Sequence, residues 1–296
     1  MSTVSARVQS CRCHGLAEMR GWLLLAVLPV MLAPMPSSAN PAARDATTPS
    51  PAQILDCGFR NRFELEFMQV LDVETRRFGR PVRSFRLQIA TKRLEGRTRT
   101  LVVFLAPEDE RGTKVLTIEN PDRTDDHFLF LPFLGRVKRI YGGRRQEPFL
   151  GTDFSFEDME RMHASDFDTT LAPDERIDGR DYHVISARPR GESGYARSEY
   201  VIGRPDCQII EIRHFKRDSE LPFKIVSMPR ARMRTVGGVL MPTWAMARNV
   251  EAKRETEMRF SKIRVGHDLA ARYFEPSILE RLVDIPGLSR GGSSAP

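Results

Sequence analysis

Residues 82–106 read VRSFRLQIATKRLEGRTRTLVVFLA and set the kind of fold that this chain can adopt. Residues 82–94 place apolar side chains at the two-residue period of a β-strand, and residues 98–106 form a mostly apolar run of strand length. Between them, Glu95-Gly96 is a short glycine-containing turn of the kind that joins paired strands. The stretch therefore predicts a hairpin of two antiparallel strands.

The same pattern continues on both sides of this hairpin, in runs separated by Gly, Pro and Asp clusters. We predict strands at residues 62–76, 82–94, 98–106, 113–119, 126–132, 136–141, 181–188, 195–203, 207–216, 222–235, 239–248 and 253–265. Further turns are predicted at Arg204-Pro205-Asp206 and Gly237-Gly238. So many strands with few helices between them indicate an antiparallel sheet that curls. The predicted fold class is mainly β (α+β), a strongly curved antiparallel sheet or incomplete β-barrel wrapped around short helices.

Two of the predicted strands are apolar on both faces. Residues 101–105 (LVVFL) and 128–131 (FLFL) have no polar alternation, so each face of these strands needs a cover. Residues 230–234 (RARMR) instead alternate strictly, which predicts a strand with its arginines in water. The sheet should therefore wrap around something, which could be its own helices, a ligand, or both.

The chain begins with a segment typical of an export signal. Residues 1–39 contain three arginines followed by the apolar run GWLLLAVLPVMLAPMP, which is shorter than the roughly 20 residues of a membrane-spanning helix. We predict a signal peptide cleaved after residue 39, a flexible linker over 40–49, a β domain over 50–284 and a flexible tail over 285–296. An uncleaved N-terminal anchor is the alternative interpretation of residues 1–39.

A helix is predicted to open the β domain. Ser50-Pro51-Ala52-Gln53 supplies a serine N-cap, a proline at the first helical position and a glutamine at the third, which is the capping-box arrangement. The residues expected to face inward are Ile54, Leu55 and Phe59.

Charge and motifs argue against nucleic-acid binding and against catalysis. The full chain carries a formal charge of +7, and the chain without residues 1–39 keeps 43 Lys and Arg residues against 38 Asp and Glu residues. This small excess is spread along the sequence without a nucleic-acid-binding motif. Nucleophile and zinc-protease motifs such as GxSxG, SxxK and HExxH are missing. We expect no enzyme activity and no cofactor, although acids are numerous enough to leave a catalytic carboxylate pair open.

Two cysteines remain if the signal peptide is removed, because Cys11 and Cys13 leave with it. Cys57 and Cys207 could form a disulfide in an oxidising compartment, or could both be buried free thiols. Neither cysteine has the spacing of a structural zinc site. The sequence leaves both interpretations of Cys57 and Cys207 open.

Residues 149–159 read FLGTDFSFEDM and concentrate acids and phenylalanines beside a glycine. The favoured interpretation is a helix that starts at Ser155 with acids in its first turn and runs to about His163. A metal site is the alternative, with ligands drawn from Asp153, Asp158, Glu160 and His163. The regular run of oxygen ligands that hard cations require is missing, so we expect no metal.

Apolar and aromatic residues offer a ligand-binding interpretation. Together with several methionines, they could line an apolar cavity or form its lid. The alternative is an ordinary hydrophobic core. The candidate residues are Phe104, Leu116, Phe128, Phe130, Phe133, Phe149, Phe154, Phe156, Trp244 and Met246.

Five blocks of sequence resemble a known family in their order and spacing. The blocks are FLAP at 104–107, RGTKVL at 111–116, FLFLP at 128–132, RVKRI at 136–140 and FLGTDFSFED at 149–158. They are similar to the LolA-like outer-membrane lipoprotein-sorting proteins, in a branch of uncharacterised members. The resemblance extends over most of residues 50–283 and includes YFEP at 273–276.

The resemblance implies a fold and a function. Such proteins have a LolA/LolB-like incomplete barrel closed by helices, with an apolar cavity that shields acyl chains in the periplasm. It implies a monomeric periplasmic carrier whose partners are a lipid or lipoprotein acyl chains, an inner-membrane exporter and an outer-membrane acceptor. The helix near Ser155 would then be a lid. A non-catalytic adaptor subunit of an envelope transporter is the alternative function.

Overall fold

The computed structural model describes residues 49–120, 123, 125–140, 146–204 and 206–288. The predicted signal peptide, all but the last residue of the predicted linker and the end of the predicted tail lie outside these residues. Among the helices within them, none combines the length and the apolar composition needed to cross a membrane.

The described residues contain one α-helix and strands β1 to β15. Helix α1 spans Pro51–Phe63. The strands are β1 Phe67–Arg77, β2 Arg80–Leu94, β3 Arg97–Ala106, β4 Lys114–Ile118, β5 Asp126–Leu131, β6 Arg136–Ile140, β7 Phe167–Ile177, β8 Arg180–Pro189, β9 Arg197–Gly203, β10 Ile209–Phe215, β11 Lys224–Ser227, β12 Met233–Val236, β13 Val239–Pro242, β14 Trp244–Asn249 and β15 Arg254–Val265. Short 3-10 turns lie at Pro132–Leu134, Phe149–Gly151, Glu157–Met159, Ala164–Asp166, Arg230–Arg232, Ala271–Phe274 and Pro276–Ile278.

Thirteen strands form one antiparallel sheet in the order β6-β5-β4-β3-β2-β1-β15-β14-β11-β10-β9-β8-β7. Strand β1 pairs with β15 at the middle of this order, where Phe67 lies opposite Val265. The sheet does not close, since β6 and β7 stay at opposite edges, and β12 and β13 form a separate hairpin. The predicted mainly β fold, an antiparallel incomplete barrel, is confirmed, and so is the hairpin at Glu95-Gly96 between β2 and β3.

Helix α1 begins as its sequence predicts. The Ser50 hydroxyl accepts a hydrogen bond from the Gln53 N–H at 3.3 Å, and the Gln53 side chain accepts one from the Ser50 N–H at 2.8 Å. This reciprocal pair satisfies two backbone donors that a helix start leaves open. Ile54, Leu55 and Phe59 are buried against the inner face of the sheet, which confirms their predicted orientation.

A disulfide ties α1 to the sheet. Cys57 is bonded to Cys207, which follows β9 at the turn to β10, across a sequence separation of 150 residues. The next residue, Gly58, lies so close to β10 that a Cβ atom there would be 3.1 Å from the Ile209 side chain. The helix therefore lies directly on the sheet.

The sheet is covered on both faces where the sequence is apolar on both faces. Phe104 and Val115 belong to the core of the inner face, together with α1. On the outer face, Leu101 and Val103 pack in a second cluster beneath a C-terminal segment. The covering residues are Leu269, Phe274, Leu279, Leu282, Ile285 and Leu288. Burial thus continues to Leu288, beyond the boundary predicted at residue 284.

Three strand predictions are wrong in part, and one strand is missing from the prediction. The strand predicted at 239–248 is divided at Thr243 into β13, which belongs to the separate hairpin, and β14, which belongs to the large sheet. The strand predicted at 222–235 is interrupted, because Pro229 precedes a 3-10 turn at Arg230–Arg232 and pairing resumes only at β12. The strict alternation of arginines there does not reflect a strand. The strand predicted from residue 62 begins at Phe67, since α1 continues to Phe63. Strand β7 was not predicted, because only one face of this edge strand is partly buried.

The helix predicted from Ser155 to about His163 is also wrong. The segment contains a single 3-10 turn, Glu157–Met159, and the backbone is extended at Glu160. The Ser155 hydroxyl does accept a hydrogen bond from the Asp158 N–H at 3.3 Å, as a cap would. The turn ends there because the carboxylates of Glu157 and Asp158 have partners elsewhere in the fold.

Candidate functional site

An apolar cavity of about 320 Å³ lies on the inner face of the sheet. Three elements close it over the strands. They are α1, a segment of residues 146–166 that we name the strap, and the β12–β13 hairpin. The strap follows β6 and precedes β7, the two edge strands, and crosses the open side of the incomplete barrel. The cavity therefore occupies the space that a closed barrel would fill with side chains.

The lining of the cavity is mainly apolar and rich in methionine. Aliphatic and aromatic side chains come from the sheet strands, and flexible thioethers come from the sheet and from the closing elements. The principal lining residues are Leu71, Val73, Phe85, Leu87, Ile89, Val102, Val115, Ala245, Phe260, Met159, Met228, Met233, Met241 and Met258. Methionine adapts to irregular apolar shapes, so this lining suits a ligand with a flexible hydrocarbon part.

The strap presents its phenylalanines to the cavity. Phe149, Phe154 and Phe156 all contribute to the lining. The rings of Phe149 and Phe156 meet edge to face with their centroids 5.4 Å apart. Gly151 has a φ of +75°, which allows the strap to turn between the first two of these rings. The aromatic residues of FLGTDFSFEDM thus form one wall of the cavity.

The first acid of FLGTDFSFEDM, Asp153, is bound to β15. Its carboxylate accepts hydrogen bonds from Arg254 Nε at 2.7 Å and from the Thr256 hydroxyl at 2.8 Å. The same hydroxyl accepts a hydrogen bond from the Asp153 N–H at 3.0 Å. These contacts tie the start of the strap to the middle of the sheet.

The second acid, Glu157, is bound to the loop before β9. Its carboxylate accepts a hydrogen bond from the Gly194 N–H at 2.9 Å and another from the Ser193 hydroxyl. Both contacts are with residues outside the strap. The glutamate therefore holds the 3-10 turn against this loop.

The third acid, Asp158, forms the most buried ionic contact of the strap. Its carboxylate pairs with the Lys224 ammonium of β11, and the two side chains are 6% and 4% exposed. It also accepts hydrogen bonds from the Tyr195 hydroxyl at 2.8 Å and from the Ser155 N–H at 2.6 Å. Burial opposes ionisation, but the Lys224 charge and the hydrogen bonds from Lys224 and the Ser155 N–H hold the pKa of Asp158 below its usual range.

The aromatic neighbours of Asp158 stay uncharged. Burial and the Asp158 carboxylate raise the pKa of the Tyr195 hydroxyl, so Tyr195 keeps its proton as a donor. The His214 ring stacks on Tyr195 with centroids 3.8 Å apart, and burial lowers the pKa of His214 to about 3. The Ser198 hydroxyl lies 2.8 Å from His214 Nδ1. The buried Lys224–Asp158 pair therefore lies beside uncharged aromatic groups.

The structure does not bring the acids of the strap together as a metal site. Asp153 and Asp158 bind different strands. The ring Nε2 of His163 lies 3.8 Å from a carboxylate oxygen of Glu119, which is outside the strap. Among the residues that the structure describes, no group of three or more His, Cys, Asp or Glu side chains could hold a metal ion. The acids of FLGTDFSFEDM hold the strap over the cavity.

Comparison with known proteins assigns the chain to a protein family. A family model whose description reads "uncharacterized protein" matches residues 96–281, more than half of the chain. The chain belongs to this family. No curated protein matches the sequence.

Solved structures of other proteins share the fold of this chain. A DUF1329 family protein from Desulfovibrio piger has a TM-score of 0.68 at 23% identity, over 78% of this chain and 100% of that chain. A putative outer membrane lipoprotein-sorting protein domain from Vibrio parahaemolyticus has a TM-score of 0.68 at 20% identity, over 77% of this chain and 99% of that chain. A LolA superfamily protein from Nitrosomonas europaea has a TM-score of 0.61 at 18% identity, over 77% of this chain and 98% of that chain. The LolA-like fold that the resemblance implies is confirmed.

The remaining predicted site residues of this LolA-like protein lie outside the cavity lining. Phe104 packs edge to face on the lining residue Phe85, with centroids 5.7 Å apart. Leu116, Phe128 and Phe130 belong to the outer cluster beneath the C-terminal segment. Three more lie elsewhere: Trp244 donates its indole N–H to Glu257, Met246 is half-buried on β14, and Phe133 is 80% exposed.

The sequence-based interpretation missed the polar groups of the cavity wall. Gln69, Thr91, Thr100, Thr117 and His127 come from β1 to β5, and all line the cavity of this LolA-like protein. Their signal in the sequence is a polar residue at an inward position of an otherwise apolar strand. That signal can be read only when the inward positions are known.

Proposed function

We propose that this LolA-like protein is a non-enzymatic periplasmic carrier that holds the hydrocarbon part of a lipid or of a lipoprotein's acyl group. The observation that carries the proposal is the methionine-rich apolar cavity closed by the strap. Its cargo would travel towards the outer membrane, received from an inner-membrane exporter and delivered to an outer-membrane acceptor.

The physical need for such a cavity is large. Each CH₂ group of an acyl chain left in water costs about 0.8 kcal/mol, so a chain of ordinary length does not leave a membrane without a cover. The inner face of the sheet supplies that cover, with Leu87, Val102 and Phe260 among the lining residues. The carrier needs to perform no covalent step.

Three observations support a periplasmic location. Residues 1–39 have the composition of an export signal. The Cys57–Cys207 disulfide suits an oxidising compartment. The protein domain from Vibrio parahaemolyticus that shares the fold is described as an outer membrane lipoprotein-sorting protein.

Loading and release require the cavity to open, and the strap is the element that we assign to this step. It supplies Phe149, Phe154 and Phe156 to the wall, yet its helical structure is limited to three short 3-10 turns, at Phe149–Gly151, Glu157–Met159 and Ala164–Asp166. An acceptor that bound the displaced strap more tightly than the closed strap would favour release.

A transfer assay tests the carrier function. Donor vesicles contain a self-quenched fluorescent acyl probe, acceptor vesicles contain none, and the mature protein is added between them. The carrier accelerates transfer in proportion to its concentration. An adaptor without cargo, the alternative function, leaves transfer at the spontaneous rate and fails to bind the probe.

A further inference from the structure

A row of polar side chains crosses the apolar wall of the cavity. Thr91 of β2 lies opposite Thr100 of β3, Thr100 opposite Thr117 of β4, and Thr117 opposite His127 of β5. All four residues line the cavity. The cavity therefore has a polar band at one end and a hydrocarbon-like body formed by the rest of the sheet.

Thr117 and His127, two residues of this row, are hydrogen-bonded to each other. The Thr117 hydroxyl lies 3.0 Å from His127 Nδ1. Thr91 is occupied as well, since its hydroxyl donates to the Leu65 carbonyl and accepts from the Phe67 N–H. These groups are held in place by the protein itself.

Thr100 and Gln69 have spare hydrogen-bonding capacity. Within the described part of the chain, neither the Thr100 hydroxyl nor the Gln69 side-chain amide has a hydrogen-bond partner. Gln69 is only 6% exposed, and it lies where the pairing of β1 with β15 shifts register between Met68 and Val70. Such irregularities re-aim side chains, and Gln69 lines the cavity, where its amide is available to a ligand or to water.

The polar end of the cavity carries little net charge. Arg62 is the only cation and Asp158 the only carboxylate among the described lining residues. Arg62 donates to the Asp158 carbonyl oxygen at 3.2 Å, and the Asp158 carboxylate attracts it electrostatically. Burial lowers the pKa of His127, although Glu160 and Asp126 oppose this, so His127 is neutral near pH 7. An anionic head group would lose its hydration here without gaining an unpaired cation.

We infer that the cargo is a single-chain, uncharged amphiphile whose hydroxyl and ester groups bind Thr100 and Gln69. The inference rests on the proposed carrier function and specifies its substrate class. The volume of about 320 Å³ is near the lower limit of small-molecule sites, which fits one chain better than several. Thr100 and Gln69 lie two strands apart and two residues out of register, which separates them by roughly 12 Å at the backbone. The ester and hydroxyl groups of a glycerol head bridge that distance with the reach of the glutamine side chain.

Calorimetric titration of the delipidated mature protein tests this inference. Its two ligands, 1-monodecanoylglycerol and decanoate, share one chain length and differ in head-group charge. The glycerol ester should bind at least about tenfold more tightly. Thr100→Val and Gln69→Leu should each lower the affinity for the glycerol ester by about tenfold, which is the loss expected for one buried hydrogen bond. The affinity for decanoate should stay nearly unchanged in both variants. Thr170→Val, at an exposed position of β7, is the matched control and should bind as the wild type does.

The outcomes separate this inference from the carrier function. Equal or tighter binding of decanoate, or ester affinities unaffected by Thr100→Val and Gln69→Leu, would overturn the assignment of the head group while acyl-probe transfer persisted. Failure of both ligands to bind, together with failure of the transfer assay, would overturn the carrier function as well. Circular dichroism of each variant shows that a lost affinity does not reflect unfolding.

Discussion

The Lys224 ammonium group and the Asp158 carboxylate form an ion pair that is almost fully buried. Lys224 begins β11 in the sheet, and Asp158 lies in the strap that closes the cavity. The pair therefore joins a sheet strand of the cavity wall to the element that the proposed carrier function requires to move. Its strength sets how firmly the cavity is closed.

Removal of the ammonium group should destabilise the fold strongly. In Lys224→Met the Asp158 carboxylate stays buried without its cation, and loss of one partner from a buried pair costs about 3–5 kcal/mol. Urea unfolding measures the change. The control is Lys216→Met, which breaks the exposed pair with Glu251 and should cost less than about 1 kcal/mol. Equal midpoints for the two variants would show that the buried pair does not hold the strap.

The stability should fall as the solution is acidified from pH 7. Burial lowers the pKa of His214 to about 3 in the folded state, with Lys224 and Arg62 adding to this and Asp158 opposing it. The unfolded chain takes up a proton near the ordinary pKa of 6.5, and the folded chain does not. The stabilisation is therefore complete above about pH 6.5 and is lost towards pH 3, by at most about 1.4 kcal/mol per pH unit.

His214→Phe tests this pH dependence. The substitution keeps an aromatic ring against Tyr195 and removes the titrating group. Unfolding free energies measured between pH 4 and 7 should vary less with pH than those of the wild type. Val82→Phe, at an exposed position of β2, removes no titrating group and should keep the wild-type slope. An unchanged slope in His214→Phe would place the acid sensitivity in other groups.

Loss of the disulfide should loosen α1, which forms one wall of the cavity. The double variant Cys57→Ser with Cys207→Ser should lose roughly 2–4 kcal/mol of unfolding free energy. A reducing agent should lower the unfolding midpoint of the wild type and leave that of the double variant unchanged. A wild type that is insensitive to reduction would mean that the cysteines contribute to stability in another way.

A bulky residue inside the cavity should reduce binding without unfolding the protein. Val102 of β3 lines the cavity, so Val102→Phe places a ring in the space for the acyl chain. The affinity for a fluorescent acyl probe should drop by about tenfold or more, while overpacking costs about 1–3 kcal/mol of stability. Val82→Phe, at an exposed position of β2, is the control and should bind normally. Equal affinity in both variants would place the probe elsewhere.

Local sequence signals predicted the start of α1 and the strand composition of the sheet. The Ser50 capping box depends on residues three positions apart, and the doubly apolar stretch at 101–105 shows that both faces of a strand are covered. Such signals do not say what covers each face. Phe128 and Phe130 could equally have faced the cavity, and only the packing of the C-terminal segment places them on the outer side.

The strap could not be predicted from local signals because distant residues determine its conformation. Ser155 followed by Glu157 and Asp158 is a good helix start in isolation. In the fold, these acids bind Gly194 and Lys224, which are remote in sequence, and the helix does not form. The polar row from Thr91 to His127 was missed for a similar reason, since strand register decides which side chains meet.

Native mass spectrometry of the gently extracted protein tests the central claim most directly. The account predicts a mass above that of the mature chain, by the mass of one lipid-like molecule that organic solvent removes. Val102→Phe should carry less of this molecule than Val82→Phe. A wild-type protein that is consistently free of lipid, and that takes up no acyl probe afterwards, would contradict the account.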